Sequence, residues 1–289
     1  IADIEAGTTE HAIANADEAY VKVFTSCDGT KTVMLLKDLL ETAQISTTKN
    51  LNINLGGHTL TIDSSVAYIP FNSEMVCVSN GNIVIDITNG VQYASLITFW
   101  GNHVIMDNIN LKVFGGTSQL IAGVYVTNNN GVYDIKNCKI TVSNSLESAV
   151  AIYNNQGTLN IENTVIKTDT DSAKNSIGIT NKSRLTIVDS TIFADAPDNS
   201  TDRNGLSIGI HNYGILYSTN TDACGTHSGM QNEGNVCIYG GTYKSCSHGG
   251  LYLVANGKGK TLVKDATIAC SDYTGTHDAS AFTNEKLAA

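Results

Sequence analysis

The chain has 289 residues, a formal net charge of -10, two prolines and seven cysteines. That acidic balance excludes a general nucleic-acid binder, which needs a basic face to displace counterions from phosphates. No apolar run is long enough to cross a bilayer as a helix, which argues against membrane insertion.

In chain order, Ala12, Ile13, Ala16, Ala19, Tyr20 and Val23 share one helical face behind Thr8 or Thr9 as cap, and predict a helix over 8–23. Such a helix would plug the first coil and cover an exposed strand edge. Further along the chain the period changes to two. Segments 132–142, 159–168, 185–194, 236–245 and 262–270 share one pattern. Alternation runs up to an Asn, Asp or Gly and then resumes, which predicts half-buried strands joined by tight turns.

An asparagine punctuates these units at Asn80, Asn102, Asn128, Asn154, Asn181, Asn212, Asn232 and Asn256, at spacings of 22, 26, 26, 27, 31, 20 and 24 residues. A period in the twenties signals stacked units, here coils of about three short strands each. Asn tolerates left-handed backbone angles, and stacked amides can hydrogen-bond from coil to coil. Asn128, Asn154, Asn181, Asn212, Asn232 and Asn256 are therefore expected to form a structural ladder.

No linker interrupts the repeats, so residues 1–285 are read as one domain of about ten coils. Lys286 to Ala289 reads as a vector-derived tail. The stretches from Asp195 to Leu206 and from Tyr217 to Gly229 are expected to break the register.

The opening, Thr-Val-Met-Leu-Leu-Lys-Asp-Leu-Leu (32–40) followed by Lys-Asn-Leu-Asn-Ile-Asn-Leu-Gly-Gly-His-Thr-Leu-Thr-Ile (49–62), resembles β-helix modules of large bacterial surface proteins. With the repeats, nearly the whole chain resembles a right-handed parallel β-helix of the pectate-lyase-like superfamily. The resemblance implies an all-β solenoid, secreted or on a bacterial surface, as one monomeric part of a larger protein. A fold does not carry one activity with it.

In the resembling lyases the active groove follows the strand after the second turn of each coil. Alternation places Lys112, Lys139, Thr141, Lys167, Thr191, Phe193 and Lys244 on the outer face of that strand. Lysines neutralise carboxylates, hydroxyls satisfy sugars and an exposed ring offers a platform, so these residues are candidates for binding a glycan, with an anionic one left open. Lys139 or Lys167 could also serve as base in β-elimination if its pKa were lowered. Tyr153 and Tyr213 are further aromatic candidates.

Loop aspartates Asp169, Asp171, Asp195, Asp198 and Asp202 could gather around calcium, although no cofactor is required. Asn220-Thr221-Asp222 matches one element of polygalacturonase-like hydrolases, and His248 sits in an imperfect version of another. Asp222 and His248 are candidates on that basis alone, because the remaining elements are missing and a hydrolase needs two carboxyl groups flanking the bond. Cys138 and Cys270 are expected to face inward as small hydrophobes. Cys224 and Cys246 could pair, or join His227 and His248 in a zinc site. Three functions stay open: a non-catalytic extracellular module binding polysaccharide or cell-surface glycan, a uronate lyase, and a polygalacturonase-like hydrolase.

Overall fold

A computed structural model of the protein describes residues 21–25, 30–41, 50–62, 69–87, 93–115, 120–143, 148–169, 175–195, 206–245, 249–253, 259–270 and 282–284. These residues are all strand and turn, with no helix among them. The chain opens with β1 (Val21–Thr25), β2 (Lys31–Leu35), β3 (Leu39–Glu41), β4 (Leu51–Asn54), β5 (Thr59–Ile62), β6 (Ile69–Phe71), β7 (Met75–Asp86), β8 (Tyr93–Phe99) and β9 (His103–Phe114). Six triplets follow: β10 (Leu120–Val126), β11 (Val132–Lys136), β12 (Lys139–Ser143); β13 (Ser148–Asn154), β14 (Thr158–Glu162), β15 (Val165–Asp169); β16 (Asn175–Asn181), β17 (Arg184–Val188), β18 (Thr191–Asp195). The last three are β19 (Leu206–Asn212), β20 (Ile215–Thr219), β21 (Asp222–Gly225); β22 (Ser228–Asn232), β23 (Asn235–Tyr239), β24 (Thr242–Ser245); and β25 (Gly249–Leu253), β26 (Thr261–Lys264), β27 (Thr267–Cys270), before β28 (Phe282–Asn284).

Two sheets result, one of nineteen strands and one of nine, the latter in the order β28-β25-β22-β19-β16-β13-β10-β8-β6. From β10 onward each strand pairs in parallel with the third strand after it, as β13 does with β16, β14 with β17 and β15 with β18. Alternation dictates what is buried. Inward Ile140, Ile166 and Ile192 stack in register while their chain neighbours face outward, and each fully buried aliphatic side chain contributes about 1.5–3 kcal/mol.

Two corrections concern the sequence expectations. Residues 21–23 of the expected helix are strand: β1 pairs antiparallel with β2, Val21 opposite Leu35 and Val23 opposite Val33. Val-Lys-Val-Phe-Thr is rich in β-branched and aromatic residues, and pairing with β2 outweighs the helical spacing of Val23. Residues 8–20 of that expectation lie outside the described residues. The stretch from Tyr217 to Gly229 keeps its register, with Ile192 opposite Ala223 and Ile210 opposite Met230. Its irregular look comes from a connection cut to two residues, 226–227, where 144–147 and 170–174 join the earlier triplets. The remaining link, 196–205, lies outside the described residues.

The asparagine ladder is real but shorter than expected. Asn154 donates its side-chain N–H to Asn181 Oδ1 at 2.8 Å, Asn181 to Asn212 at 2.7 Å and Asn212 to Asn232 at 2.6 Å. All four are buried, and Asn232 closes the run on the Gly234 carbonyl at 2.8 Å. Asn128 is not in it: Val126 occupies the register of Asn154, and Asn128 turns back to Asn102 Oδ1 at 3.1 Å. With Val126 in register on β10, Asn154 Oδ1 has no hydrogen-bond partner among the described residues. Asn256 lies outside the described residues, and Leu253 is the residue paired with Asn232. On the N-terminal side Phe71, Phe99 and Tyr133 stack, with centroids 6.2 and 5.6 Å apart.

A second column explains the other turns. Asn80, Asn108, Asn137, Asn163, Asp189, Asn220 and Asp265 all have positive φ, between 45 and 60°, and Gly240 stands in the same column at 74°. Asn80 thus belongs to these turns and not with the buried ladder. Asn163 donates to Asn137 Oδ1 at 2.8 Å and Asn108 to Asn80 Oδ1 at 3.1 Å. The next residue inward is small: Cys138, Thr164, Ser190 and Thr221 are all buried.

Candidate functional site

The outer face singled out for chemistry is that of β12, β15, β18, β21 and β24. Register sorts its side chains into two columns, one running Asn110, Lys139, Val165, Thr191 and Asp222, the other Lys112, Thr141, Lys167, Phe193, Cys224 and Lys244. Lys139 is therefore in a different column from Lys112, Lys167 and Lys244, which Thr141, Phe193 and Cys224 separate. Lys112 and Lys167 stand two strand spacings, about 10 Å, apart. The four lysines form no continuous charged strip. Lys167 instead lies over the Phe193 ring, 5.8 Å from its centroid, beside exposed Thr191 and Val165.

Asn220-Thr221-Asp222 has a structural explanation. Asn220 is the positive-φ turn residue, and buried Thr221 donates its hydroxyl to the Thr219 carbonyl at 3.0 Å. Thr164 and Ser190 make the same bond to Glu162 and Val188, each at 2.8 Å. Asp222 is thus the exposed first residue of β21, in register with Thr191. The tripeptide is one more copy of the repeat's turn, and the sequence reading had not placed Asn220 in that column.

Asp169 and Asp195 end adjacent strands in register, whereas Asp171, Asp198, Asp202 and His248 lie outside the described residues. Among the described residues no group of three or more His, Cys, Asp or Glu side chains is placed to hold a metal ion. Cys138 faces inward as expected, and burial pushes its thiol up to about 11. Cys270 pairs with buried Ser245, an inward register position. Cys224 projects outward on β21, and Cys246 lies outside the described residues.

A chemically richer cluster lies along one edge of the nine-stranded sheet, and the buried ladder builds it. Each ladder asparagine points inward, so the residues just before and after it face out. Those flanks are Tyr153 and Asn155, Thr180 and Lys182, His211 and Tyr213, Gln231 and Glu233. Register aligns Tyr125, Tyr153, Thr180, His211 and Gln231 across five strands. Their span is roughly 19 Å at the ordinary strand spacing.

The contacts along this shelf are specific. Tyr125 and Tyr153 stack with centroids 5.4 Å apart. The exposed Lys182 ammonium lies 5.3 Å from the Tyr153 centroid and 6.0 Å from that of Tyr213, between two rings whose faces attract a cation. The Tyr213 ring tilts over the His211 ring at 4.1 Å, with its hydroxyl 3.3 Å from Nδ1. His211 Nε2 is 2.9 Å from Glu233 Oε1.

Burial lowers the pKa of His211, opposed by its hydrogen bond to Glu233 and reinforced by Lys182. The imidazole is therefore neutral at pH 7. A carboxylate can only accept, so Nε2 carries the proton and Nδ1 accepts from the Tyr213 hydroxyl. Burial first, then Glu233 and Tyr153, raise the pKa of Tyr213, which remains a protonated phenol. The shelf thus offers flat aromatic faces, one cation and a polarised hydroxyl. Tyr153 and Tyr213 were visible in sequence as loose aromatics, while Tyr125, Lys182, His211 and Glu233 were missed. The available signal was their position beside the repeated asparagine.

No protein-family model matches the chain, and no curated protein or solved structure matches it either.

Proposed function

We propose that the chain is a right-handed parallel β-helix of the pectate-lyase-like kind, acting as an extracellular glycan-contact module, secreted or displayed on a bacterial surface. Pairing of each strand with the third one after it supports the architecture. The observation that carries the function is the Lys182 ammonium held between the exposed ring of Tyr213 and the stacked Tyr125–Tyr153 pair. Flat rings pack against the apolar faces of sugars, and an ammonium group hydrogen-bonds to their oxygens. The repeat of the shelf is one strand spacing, about 4.8 Å, close to the length of one pyranose unit in a chain.

The test is binding to a panel of bacterial, plant and animal polysaccharides by wild type and by Tyr153→Ala. Binding to at least one polymer, weakened about tenfold in the variant, supports the reading; this is the size expected for removing one aromatic platform. Silence across the panel rejects it. Growth of unsaturated product that needs Lys139 or Lys167 would replace it with the lyase reading.

A further inference from the structure

We propose that Lys182, Tyr213, His211 and Glu233 form a subsite for the anionic group of a sugar polymer, and that protonation of His211 strengthens its grip. The inference rests on the glycan-contact reading of the shelf and adds its ligand class and its control.

The argument begins with charge. Among the described residues, the ionisable groups facing His211 are Glu233 from the turn after β22, Lys182 from the turn after β16, Tyr213 from the turn after β19 and, through Tyr213 and Lys182, Tyr153 on β13. Its strand neighbours on either side, Thr180 and Gln231, carry no charge. With His211 neutral, the Lys182 and Glu233 charges cancel and the cluster has no net attraction for an anion. One proton on His211 leaves it with a net charge of +1.

Hydrogen bonding changes in the same direction. While His211 is neutral, the Tyr213 hydroxyl donates to Nδ1, 3.3 Å away. Once Nδ1 is protonated it becomes a donor, and the Tyr213 oxygen accepts from it. The hydroxyl hydrogen then turns outward, toward solvent and toward any anion seated at the Lys182 ammonium. Tyr213 is 41% exposed and His211 only 8%, so the tyrosine presents the change at the surface while the imidazole stays beneath it. Glu233 holds Nε2 in both states, which fixes the ring and confines the change to Nδ1.

The contrast with other histidines supports a specific role here. His103 also meets a carboxylate, Asp134 at 3.2 Å, and His58 lies 3.6 Å from Asp38, but neither has an aromatic ring or an ammonium placed around it among the contacts of the described residues. At His211, by contrast, an aromatic shelf, a cation and a reversible hydroxyl coincide.

The test uses the whole protein with dextran sulfate, whose charge is constant across the range, and unmodified dextran of the same length, measured by calorimetry at about pH 5 and about pH 7.5. Dextran sulfate is expected to bind about fivefold more tightly at the lower pH, the effect of one partly screened charge. Proton uptake should accompany that binding. His211→Gln is expected to lose the pH dependence, His103→Gln to keep it, and Lys182→Gln to weaken binding at both pH values. Equal affinity at the two pH values, or a pH dependence that survives in His211→Gln, overturns the proposal. No binding of dextran sulfate at either pH also overturns it. Glycan binding in the wider panel without any preference for acid would leave the contact reading standing and remove only this inference, so the two failures are distinguishable.

Discussion

Asn163, with φ at 45°, occupies a backbone region that β-carbons resist, and its amide also reaches Asn137 in the coil below. Asn163→Ala should therefore lose about 1–2 kcal/mol by chemical denaturation, and Asn163→Gly less, because glycine recovers the backbone term. Equal losses in both would show that the amide contact, not the backbone, sets the cost. His211 supplies a pH signature. Its folded-state pKa is depressed below the ordinary 6.5, so the unfolded chain takes up a proton first as pH falls. This contribution to stability is present above about pH 6.5 and is lost as pH drops through the lower folded value. Thermal midpoints should fall more steeply on acidification in wild type than in His211→Gln, and parallel slopes would contradict the burial argument.

At the scale of elements, the turns and the buried ladder divide the work. In Asn181, Asn212 and Asn232 both amide groups are spent inside, on the next asparagine of the run and on neighbouring carbonyls such as Asn235 O, 3.1 Å from Asn212, whereas Asn154 spends only its N–H groups. Asn212→Ala breaks the run in the middle: Asn181 loses its shortest acceptor and the buried Asn232 Oδ1 loses the Asn212 donor. A loss of about 3 kcal/mol is expected, against under about 1 kcal/mol for Asn128→Ala, whose side chain lies at the surface. Comparable losses would mean that the ladder stabilises no more than a surface turn does.

The strands themselves were legible because a period of two survives insertions elsewhere in the chain. Which asparagines stack was not: Asn128 shares the spacing but misses the register by two residues, and spacing alone cannot separate a turn from a ladder position. The site was hidden for a related reason. Lysine on a strand is an obvious signal, whereas Lys182 and Glu233 sit in turns, and only strand register reveals that they flank the same column as His211. The tripeptide ending at Asp222 is the converse case, since a turn repeated from triplet to triplet will match a short motif by chance.

At the scale of the whole molecule, the length variation between β13 and β24 is confined to one connection, from the third strand of a triplet to the next strand of the nine-stranded sheet, while the other turns in that span are two or three residues long. Four residues inserted between Thr226 and His227 should cost about 2 kcal/mol, the price of the bonds these residues make to Ser207, at 3.0 and 2.9 Å, plus a small loop term. The same insertion between Asn220 and Thr221 would displace a positive-φ turn and a buried hydroxyl from the stack, and should abolish cooperative unfolding. Stability depends on neighbour-to-neighbour contacts in such arrays, so equal tolerance at both places would contradict the stacked register.

The most direct measurement compares the two outer faces with a single oligosaccharide that binds wild type. Affinity is measured for Lys182→Ala and Tyr213→Ala on the shelf, and for Lys139→Ala and Lys167→Ala on the strand face. The account predicts that the first pair weakens binding about five- to tenfold each and that the second pair leaves it unchanged. Loss confined to Lys139→Ala and Lys167→Ala would contradict it and move the binding surface to the other sheet.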